Sequence, residues 1–324
     1  MEREGRIINL MEPGHTGCAG CGQAIAARLV IRAAGSNVIV ANATGCLEVY
    51  TTTYPRSAWE VPWIHSLFEN PAAVASGIEA CLKAMGRYDG IKVIAQAGDG
   101  GTADIGIGCL SGMFERRHDI LYVCYDNEGY MNTGYQRSSL TPFGARTTTS
   151  PSGALSWGNV TRKKNMPLIA VAHGVPYVAT ATPAEPRDLM RKVQKALQIE
   201  GPKYLHILVP CVPGWGYESE ETLELARLAV ETGLFPVFEI EKGVITKIRK
   251  PKERKPVEAY LRPQKRFAHL FQPGNEHLIV EMQQIADENL AIESGPAVLY
   301  GTGGVAKELE NEEEEIPPKA GSGG

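Results

Sequence analysis

Apolar and polar positions alternate along the chain with two periods, which predict strands and helices in a repeated order. Short, mainly apolar runs that are typical of buried strands occupy ranges 37–41, 91–97, 120–125, 176–181 and 204–210. Segments with helical spacing lie at 22–34, 71–85, 103–117, 185–199 and 218–231. Apolar strands separated by amphipathic helices are typical of a parallel sheet covered on both sides. We therefore predict an α/β fold with a mostly parallel sheet and helices on both faces.

The pattern changes in the second half of the chain. Residues 132–164 are rich in Thr, Ser, Gly and Arg with little periodicity, and loops of that length are usually functional or disordered. A hairpin is predicted at 235–250, with Lys242–Gly243 at its turn. The predicted parts of the chain are a main domain at 1–240, a C-terminal extension or arm at 241–304 and a disordered acidic tail at 305–324.

Composition and charge narrow the class of protein. The 324 residues include 33 basic and 37 acidic side chains, so a net charge of −4 gives no general reason to bind nucleic acid or an anionic membrane. The start of the chain lacks the apolar core of a signal peptide, and no run of about 18 apolar residues occurs. We therefore expect a cytoplasmic protein with neither kind of partner.

A glycine-rich turn that contains an aspartate follows the strand predicted at 91–97. Its residues are Gly98, Asp99, Gly100 and Gly101. Glycines at such a turn let backbone amides approach an anion, and a helix that starts there favours negative charge. The aspartate suits a divalent cation that bridges to a phosphate group.

A matching polar segment with Asp126, Asn127 and Gly129 follows the next predicted strand. Twenty-six residues lie between Gly100 and Asn127, enough for one helix and one strand. Neighbouring parallel strands end at the same edge of a sheet, where ligands of open α/β sheets bind. We therefore expect Asp99, Asn127 and the carbonyl of Gly129 to surround one Mg²⁺. The alternative is a turn with a capping asparagine and no ligand.

The cysteines point to a metal or redox centre. Their number, seven, is odd, which argues against a disulfide framework. Cys18 and Cys21 form a C-x2-C pair, while Cys46 and Cys211 each follow a predicted strand. Four thiolates fit a tetrahedral zinc or a [4Fe–4S] cluster, and the residues alone leave both open. The cysteines expected to pack as small apolar side chains are Cys81, Cys109 and Cys124.

The two signatures together resemble a known family. The glycine turn followed by DNEGYMNTG is similar to the thiamine-diphosphate-binding motif. With the cysteine spacing, AWEVPWIHSLFEN and TGYQRSS, the chain resembles β subunits of pyruvate:ferredoxin oxidoreductase and its 2-oxoacid:ferredoxin oxidoreductase relatives. The resemblance extends from Pro13 to about Gly214. It implies a thiamine-diphosphate-binding fold of the diphosphate type, meaning the domain that binds the diphosphate end of the cofactor.

The resemblance also implies a reaction. Pyruvate would be oxidatively decarboxylated to acetyl-CoA and CO₂, or formed in the reverse direction, with thiamine diphosphate and Mg²⁺ as cofactors. A [4Fe–4S] cluster on Cys18, Cys21, Cys46 and Cys211 would pass electrons to ferredoxin, and coenzyme A would collect the acetyl group. Another 2-oxoacid, or oxalate without coenzyme A, is an alternative. A non-redox thiamine-diphosphate decarboxylase or carboligase with structural zinc is a second one.

The same resemblance predicts partner subunits and substrate contacts. The chain holds the diphosphate half of a thiamine site and no recognisable pyrimidine half. We therefore expect an α subunit with a pyrimidine-binding domain, γ and ferredoxin-like δ subunits, and no turnover by the single chain. Asn132 near the substrate and Phe68 facing the thiazolium are the predicted catalytic residues, with a turn role and a core role as alternatives. Secondary candidates, each with an ordinary structural interpretation, are Gln23, His15, His65, Arg137 and Arg146.

Overall fold

The centre of the protein is a sheet to which most parts of the chain contribute. The computed structural model describes residues 9–153 and 155–297. Its strands are β1 (Val38–Asn42), β2 (Trp63–His65), β3 (Lys92–Gly98), β4 (Ile120–Asp126), β5 (Ser152–Gly153), β6 (Ser156–Trp157), β7 (Tyr177–Ala181), β8 (Lys203–Leu208), β9 (Phe238–Glu241), β10 (Val244–Ile248) and β11 (Gly295–Pro296).

Helices connect most of these strands. The α-helices are α1 (Gly22–Ala34), α2 (Cys46–Thr51), α3 (Pro71–Ala84), α4 (Asp99–Ala103), α5 (Ile107–Glu115), α6 (Met166–Ala172), α7 (Pro186–Gln198), α8 (Val212–Trp215), α9 (Thr222–Glu231), α10 (Glu258–Leu261) and α11 (Glu276–Leu290). Two 3-10 helices lie at Ser219–Glu221 and Lys265–Phe271. Among the described residues, no helix combines the length and the apolar character that crossing a membrane would require.

The large sheet is mostly parallel, as predicted. Within the described residues its order is β11-β10-β9-β7-β8-β4-β3-β1-β2, and the strands from β7 to β2 in that order pair in parallel. Strands β9, β10 and β11 add an antiparallel side. β5 and β6 pair separately inside the long loop region.

The predicted hairpin is confirmed as β9 and β10, with Lys242–Gly243 between them. The proposed domain boundary at 240/241 falls inside β9, and both hairpin strands belong to the common sheet. The division into a main domain and an extension remains a prediction. The proposed tail at 305–324 lies outside the described residues.

Strand β4 shows why both faces of the sheet are covered. Its alternate residues Leu121, Val123 and Tyr125 pack in a core with α1 and α7. The residues between them enter a second core with α3, α5 and α6. Because side chains alternate across a strand, a continuous apolar run is buried on both faces.

Most predicted elements shift by no more than two residues, but the helix predicted at 103–117 is shorter in the structure, at Ile107–Glu115. The chain is already helical from Asp99, the helix stops at Ala103, and α5 begins at Ile107. The turn is stabilised by the amide of Ile105, which donates to the carbonyl of Gly100 at 3.2 Å. The helix predicted at 218–231 begins at Thr222, after a 3-10 turn.

The cysteines expected in the core differ in burial. Cys124 is fully buried on β4, and Cys109 packs half-buried against the second core. The prediction is wrong for Cys81, which is exposed. Helix α3 buries positions such as Ala75 and Leu82, and Cys81 lies off that face.

We expect the contacts that join hairpin strand β9 to strand β7 and helix α7 to be sensitive to acid. Glu239 on β9 accepts from Arg191 at 2.6 Å, Lys195 at 2.9 Å and the Tyr177 hydroxyl at 2.9 Å. Burial alone raises the pKa of Glu239, but these donors outweigh it and lower that pKa from 4.5 to about 2. The stability it contributes is present above pH 4.5 and is lost as the pH falls towards 2. Denaturant unfolding between pH 4.5 and about 2 should therefore show a steeper loss of stability in the wild type than in Glu239→Gln. At neutral pH, Glu239→Gln should lower the free energy of unfolding by about 2 kcal/mol. Equal pH slopes in the two proteins would contradict this, and the exposed Glu220→Gln is the control.

Candidate functional site

A cleft opens where the parallel strands β1, β3 and β4 end side by side. Parallel sheets place the residues that follow such strands at one edge, so separate segments meet there. The sequence-predicted residues that line this cleft are Gln23, Cys46, Phe68, Gly98, Asp99, Gly100, Gly101, Asn127, Gly129 and Asn132. The structure therefore brings both polar segments and both predicted substrate residues into one cleft.

The glycine turn is packed too tightly for larger residues. A methyl group at Gly100 would overlap the ring of Tyr130, and one at Gly101 would lie 3.2 Å from the carbonyl oxygen of Phe68. The rings of Phe68 and Tyr130 stack with centroids 5.8 Å apart. The hydroxyl of Tyr130 donates to Asp104 at 3.0 Å. The turn thus presents its backbone to the cleft at close range, as an anion site requires.

Asp99 is the buried acid of the cleft, with 1% of its surface exposed. The hydroxyl of Ser138 donates to its Oδ2. Burial, followed by the negative charge of Asp126, raises the pKa of Asp99 well above its usual value. A carboxyl group in such surroundings binds either a proton or a cation, because an uncompensated buried charge is costly.

Asn127 faces Asp99 across the cleft. One terminal atom of its side-chain amide lies 2.7 Å from the carbonyl oxygen of Gly129 and 2.9 Å from Asp99 Oδ1. With nitrogen at that position, the amide donates to both oxygens. With oxygen there, three acceptors meet at one point, since the two ends of an amide are interchangeable by a flip. The main-chain carbonyl of Asn127 accepts from the indole of Trp215 at 2.8 Å.

Among the residues predicted to bind thiamine diphosphate or Mg²⁺, Asp126 alone does not line the cleft. Its buried carboxylate accepts from Lys163 at 2.6 Å and from His206 at 2.9 Å, on the other side of the loop. Burial alone would raise the pKa of Asp126, but Lys163 and His206 prevail and hold it at about 2. Lys163 and His206 therefore favour the ionised form of Asp126, on the side of the loop that faces away from the cleft.

Two buried polar atoms in the cleft wall have no hydrogen-bond partner among the described residues. They are Oε1 of Gln23 and Oδ1 of Asn42. Buried acceptors of this kind are rare in folded proteins, so each calls for a ligand or a water molecule. Both therefore favour a polar ligand in the cleft.

The four predicted cluster cysteines come from three loops beside the cleft. Cys18 and Cys21 precede α1, and the next amide, of Gly22, donates to the Pro210 carbonyl at 3.1 Å, which joins this turn to the end of β8. Cys46 begins α2 and Cys211 precedes α8. Within the described part of the chain, no three His, Cys, Asp or Glu side chains converge closely enough to form a metal site.

The thiols nevertheless share one electrostatic environment. Burial, followed by the other cysteines of the set, raises the pKa of Cys46 to about 11. Burial and the same neighbours raise the pKa of Cys211 to about 12. Thiolates so close together repel one another unless a multivalent cation compensates their charge. Four neighbouring cysteines have the donor chemistry of a zinc or iron–sulfur site, although their side chains do not converge on one point in the described part of the chain.

Cys46 connects this group of thiols to the cleft. Cys46 and Asn132 both line the cleft, and the Asn132 side chain lowers the pKa of the Cys46 thiol, although burial outweighs this effect. Next to Cys211, a methyl group at Gly214 would overlap the sulfur of Met131, another residue of the cleft wall. Cys46 therefore belongs both to the cysteine group and to the wall of the cleft.

The histidine and arginine candidates have structural partners. His65 contacts the hydroxyl of Thr44 at 2.8 Å, and His15 accepts from the amide of Gly17 at 3.3 Å. Arg137 donates to Asn159 at 2.8 Å. The main-chain amide of Arg146 donates to the carbonyl of Arg266 at 3.0 Å. His15, His65, Arg137 and Arg146 are absent from the lining of the cleft.

Several lining residues were not predicted. Thr44, Gly45, Tyr130, Met131 and Thr133 belong to the same loops as the predicted residues. They could have been predicted from their position alone, because every residue that follows a parallel strand lies at the same edge of the sheet, whatever its chemistry.

Comparisons with known proteins agree with this arrangement. The family described as "Thiamine pyrophosphate enzyme, C-terminal TPP binding domain" matches residues 43–207, which include both halves of the cleft. A solved 2-oxoglutarate:ferredoxin oxidoreductase from Magnetococcus marinus has a similar fold, with a TM-score of 0.54 and 22% identity over 68% of this chain and 79% of that one.

Closer relatives are known from sequence. The pyruvate synthase subunit PorB of Methanosarcina barkeri is 59% identical over 278 residues, which cover 86% of this chain and 94% of that protein. The PorB subunit of Methanocaldococcus jannaschii is 59% identical over 82% and 91%. The ketoisovalerate oxidoreductase subunit VorB of Pyrococcus abyssi is 47% identical over 82% and 87%. This chain therefore belongs to the family of PorB-type subunits of 2-oxoacid:ferredoxin oxidoreductases, and its core is a thiamine-diphosphate-binding domain.

Proposed function

We propose that this chain is the subunit of a pyruvate:ferredoxin oxidoreductase that holds the diphosphate end of thiamine diphosphate and a [4Fe–4S] cluster. The complex would convert pyruvate and coenzyme A to acetyl-CoA and CO₂, or catalyse the reverse, with ferredoxin as the electron partner. The observation that carries the proposal is the direct contact between the cleft and the four-cysteine edge, made by Cys46. Two signatures that are separate in the chain thus form one centre.

The oxygen atoms around Asn127 support an Mg²⁺ site. Mg²⁺ requires nearly octahedral oxygen ligands at about 2.0–2.1 Å, so neighbouring ligands lie roughly 2.9 Å apart. The terminal amide atom of Asn127 lies 2.7 Å from the Gly129 carbonyl oxygen and 2.9 Å from Asp99 Oδ1. Asp99, Asn127 and Gly129 would therefore hold Mg²⁺ against the diphosphate, which also explains why a carboxylate is buried at this position.

The remaining cleft residues suit the cofactor and substrate. Bound thiamine diphosphate supplies the carbanion chemistry of 2-oxoacid decarboxylation. Gly98, Gly100 and Gly101 would present backbone to the diphosphate, and Gln23 and Asn42, each with a buried acceptor that lacks a partner, also line the cleft. Phe68 covers the glycine turn with its ring and keeps water from the reacting atoms, and Asn132 orients the substrate.

Cys18, Cys21, Cys46 and Cys211 would hold the cluster, which supplies a one-electron acceptor. Oxidation of a decarboxylated 2-oxoacid releases two electrons, so an acceptor beside the cleft allows them to leave one at a time. Cys46 lies in the wall that the cysteines share with the cleft, and Asn132 lines the same cleft. Polar groups near cluster sulfurs tune the reduction potential, so Asn132, as a neighbour of Cys46 in the cleft lining, would influence electron transfer as well as substrate position.

A branched 2-oxoacid is the second candidate substrate. The observation in its favour is the 47% identity to the ketoisovalerate oxidoreductase subunit VorB over 82% of this chain. The higher identity to PorB subunits, at 59%, favours pyruvate. The test is dye reduction by the intact purified complex with pyruvate, 2-oxoisovalerate, 2-oxoglutarate and oxalate, each with and without coenzyme A. A clear preference for another acid, or turnover independent of coenzyme A, would overturn the pyruvate assignment.

The single chain should be inactive. The described residues supply the diphosphate half of the thiamine site, and we propose that an α subunit supplies the pyrimidine-binding half, with γ and ferredoxin-like δ subunits completing the complex. The isolated chain, with saturating thiamine diphosphate, Mg²⁺, pyruvate and coenzyme A, should show no reduction of a viologen dye above background. Adding the α subunit should restore tight cofactor binding. Robust turnover by the chain alone would contradict the division of the site between subunits.

A further inference from the structure

The loop that carries Asn127 and Gly129 has a second side, which faces away from the cleft. Asp126 and Glu128 alternate with the two cleft residues, and both have their carboxylates turned to that second side. Lys163 reaches both of them, with Nζ 2.6 Å from Asp126 Oδ2 and 2.8 Å from Glu128 Oε1. One ammonium group thereby joins the residues immediately before and after Asn127.

Arg266 holds the same loop from another part of the chain. Its Nη2 donates to Glu128 Oε2 at 2.6 Å, and its Nε donates to Gln264 at 2.8 Å. The guanidinium lies 3.9 Å from the ring centroid of Trp215, whose indole donates to the Asn127 carbonyl at 2.8 Å. Glu128 and Arg266 are nearly completely buried. Arg266 therefore fixes both a side chain and, through Trp215, the main chain of the loop.

The backbone of the loop needs this support. Glu128 has a φ of +67°, a conformation that side chains other than glycine adopt at a cost. Its amide donates to Asp126 Oδ1 at 2.9 Å, and its carbonyl accepts from Thr141 at 2.8 Å. The left-handed residue turns the chain so that Asn127 and Gly129 face the cleft while both carboxylates face Lys163.

We propose that Lys163 and Arg266 are positioning residues for the Mg²⁺ site, which hold Asn127 and Gly129 in the geometry that the cation requires. The inference rests on the proposed function, because it assumes that Asp99, Asn127 and Gly129 bind Mg²⁺. It also makes the 3-10 helix Lys265–Phe271, in the segment predicted to be an arm, part of the cofactor site. Neither Lys163 nor Arg266 lines the cleft.

The sign of one measurement separates positioning from simple electrostatics. Lys163→Met removes a positive charge from behind a cation site, so charge alone would make Mg²⁺ bind more tightly. Loss of the loop geometry would make Mg²⁺ bind more weakly, since second-shell partners of metal ligands typically matter about 10–100-fold. A purely structural role would lower the folded fraction and leave the Mg²⁺ requirement of the folded complex unchanged.

The experiment is equilibrium dialysis of thiamine diphosphate against the purified complex over a series of Mg²⁺ concentrations. We expect the half-saturating Mg²⁺ concentration to rise about 10-fold in Lys163→Met. Arg266→Lys keeps the charge but loses the fork to Glu128 and Gln264, and should shift the requirement in the same direction. Because Arg266→Lys replaces one long cationic side chain by another, this variant remains informative if Lys163→Met fails to fold.

Arg162→Met is the matched control. Arg162 is the neighbour of Lys163 and pairs with Glu288 at the surface, without contact to the loop. The positioning role would be overturned if folded Lys163→Met or Arg266→Lys had a lower or unchanged Mg²⁺ requirement. It would also be overturned if the Mg²⁺ requirement rose equally in Arg162→Met. If the wild-type complex binds thiamine diphosphate without any Mg²⁺ requirement, the proposed Mg²⁺ site itself is wrong, so the two failures are distinguishable.

Discussion

Replacement of Asp99 by alanine should release thiamine diphosphate from the purified complex during gel filtration and lower pyruvate-dependent dye reduction by about a thousandfold or more. Asp99 is the only one of the three proposed Mg²⁺ ligands with a formal charge. Without it, Asn127 and Gly129 offer only neutral oxygens, and the charge of the diphosphate is less compensated. The measurement is cofactor content per complex after gel filtration, alongside the rate.

Asp89→Asn is the matched control for this variant. Asp89 is exposed and precedes β3, whereas Asp99 follows the same strand at the opposite edge of the sheet. The control should keep both cofactor and activity. Wild-type cofactor content in Asp99→Ala would contradict the assignment of Asp99 as a metal ligand.

Cys46→Ser or Cys211→Ser should remove or destabilise the cluster. Anaerobic iron and acid-labile sulfide analysis of the wild-type chain should give about four of each, in line with one [4Fe–4S] centre. Both thiols lie half-buried in an environment shaped by the other cysteines of the set, so losing one leaves an incomplete ligand set. The variants should lose the brown colour, most of the iron and ferredoxin reduction.

Cys109→Ser is the control for these changes. Cys109 is also half-buried but packs against the core on the far side of the sheet. The iron content of the Cys109→Ser variant should therefore match that of the wild type. A stoichiometric zinc content without iron in the wild-type chain would contradict the redox proposal. That result would support a thiamine-diphosphate decarboxylase or carboligase with structural zinc.

The parallel core could be predicted because its signal is local. A strand such as β4 is apolar at every position, and burial on both faces is the only environment that accommodates such a run. The meeting of Asp99 and Asn127 followed from the same inference, since two successive parallel strands place their ends at one edge. The break between α4 and α5 was not predicted; besides the local Ile105–Gly100 bond, Asp104 in this turn accepts from the hydroxyl of Tyr130, a residue of another loop, and that contact forms only in the folded protein.

Which side of its loop the Asp126 carboxylate faces also depended on the tertiary structure. Its position beside Asn127 suggested a cofactor contact, but its carboxylate pairs with Lys163, which is 37 residues away in the chain. Glu128 pairs with Arg266, which is 138 residues away. No local pattern marks a lysine or an arginine for such a contact, since both residue types usually lie in water.

The sequence by itself determined the alternation of strands and helices, the two cofactor signatures and the edge of the sheet at which they lie. Each of these depends on residues close together in the chain or on a general rule of parallel sheets. Only the tertiary structure decided which side of the 126–129 loop faces the cleft and which residues hold it there. Those contacts form between distant segments, and their free energy depends on burial and charge compensation, which exist only once the chain has folded.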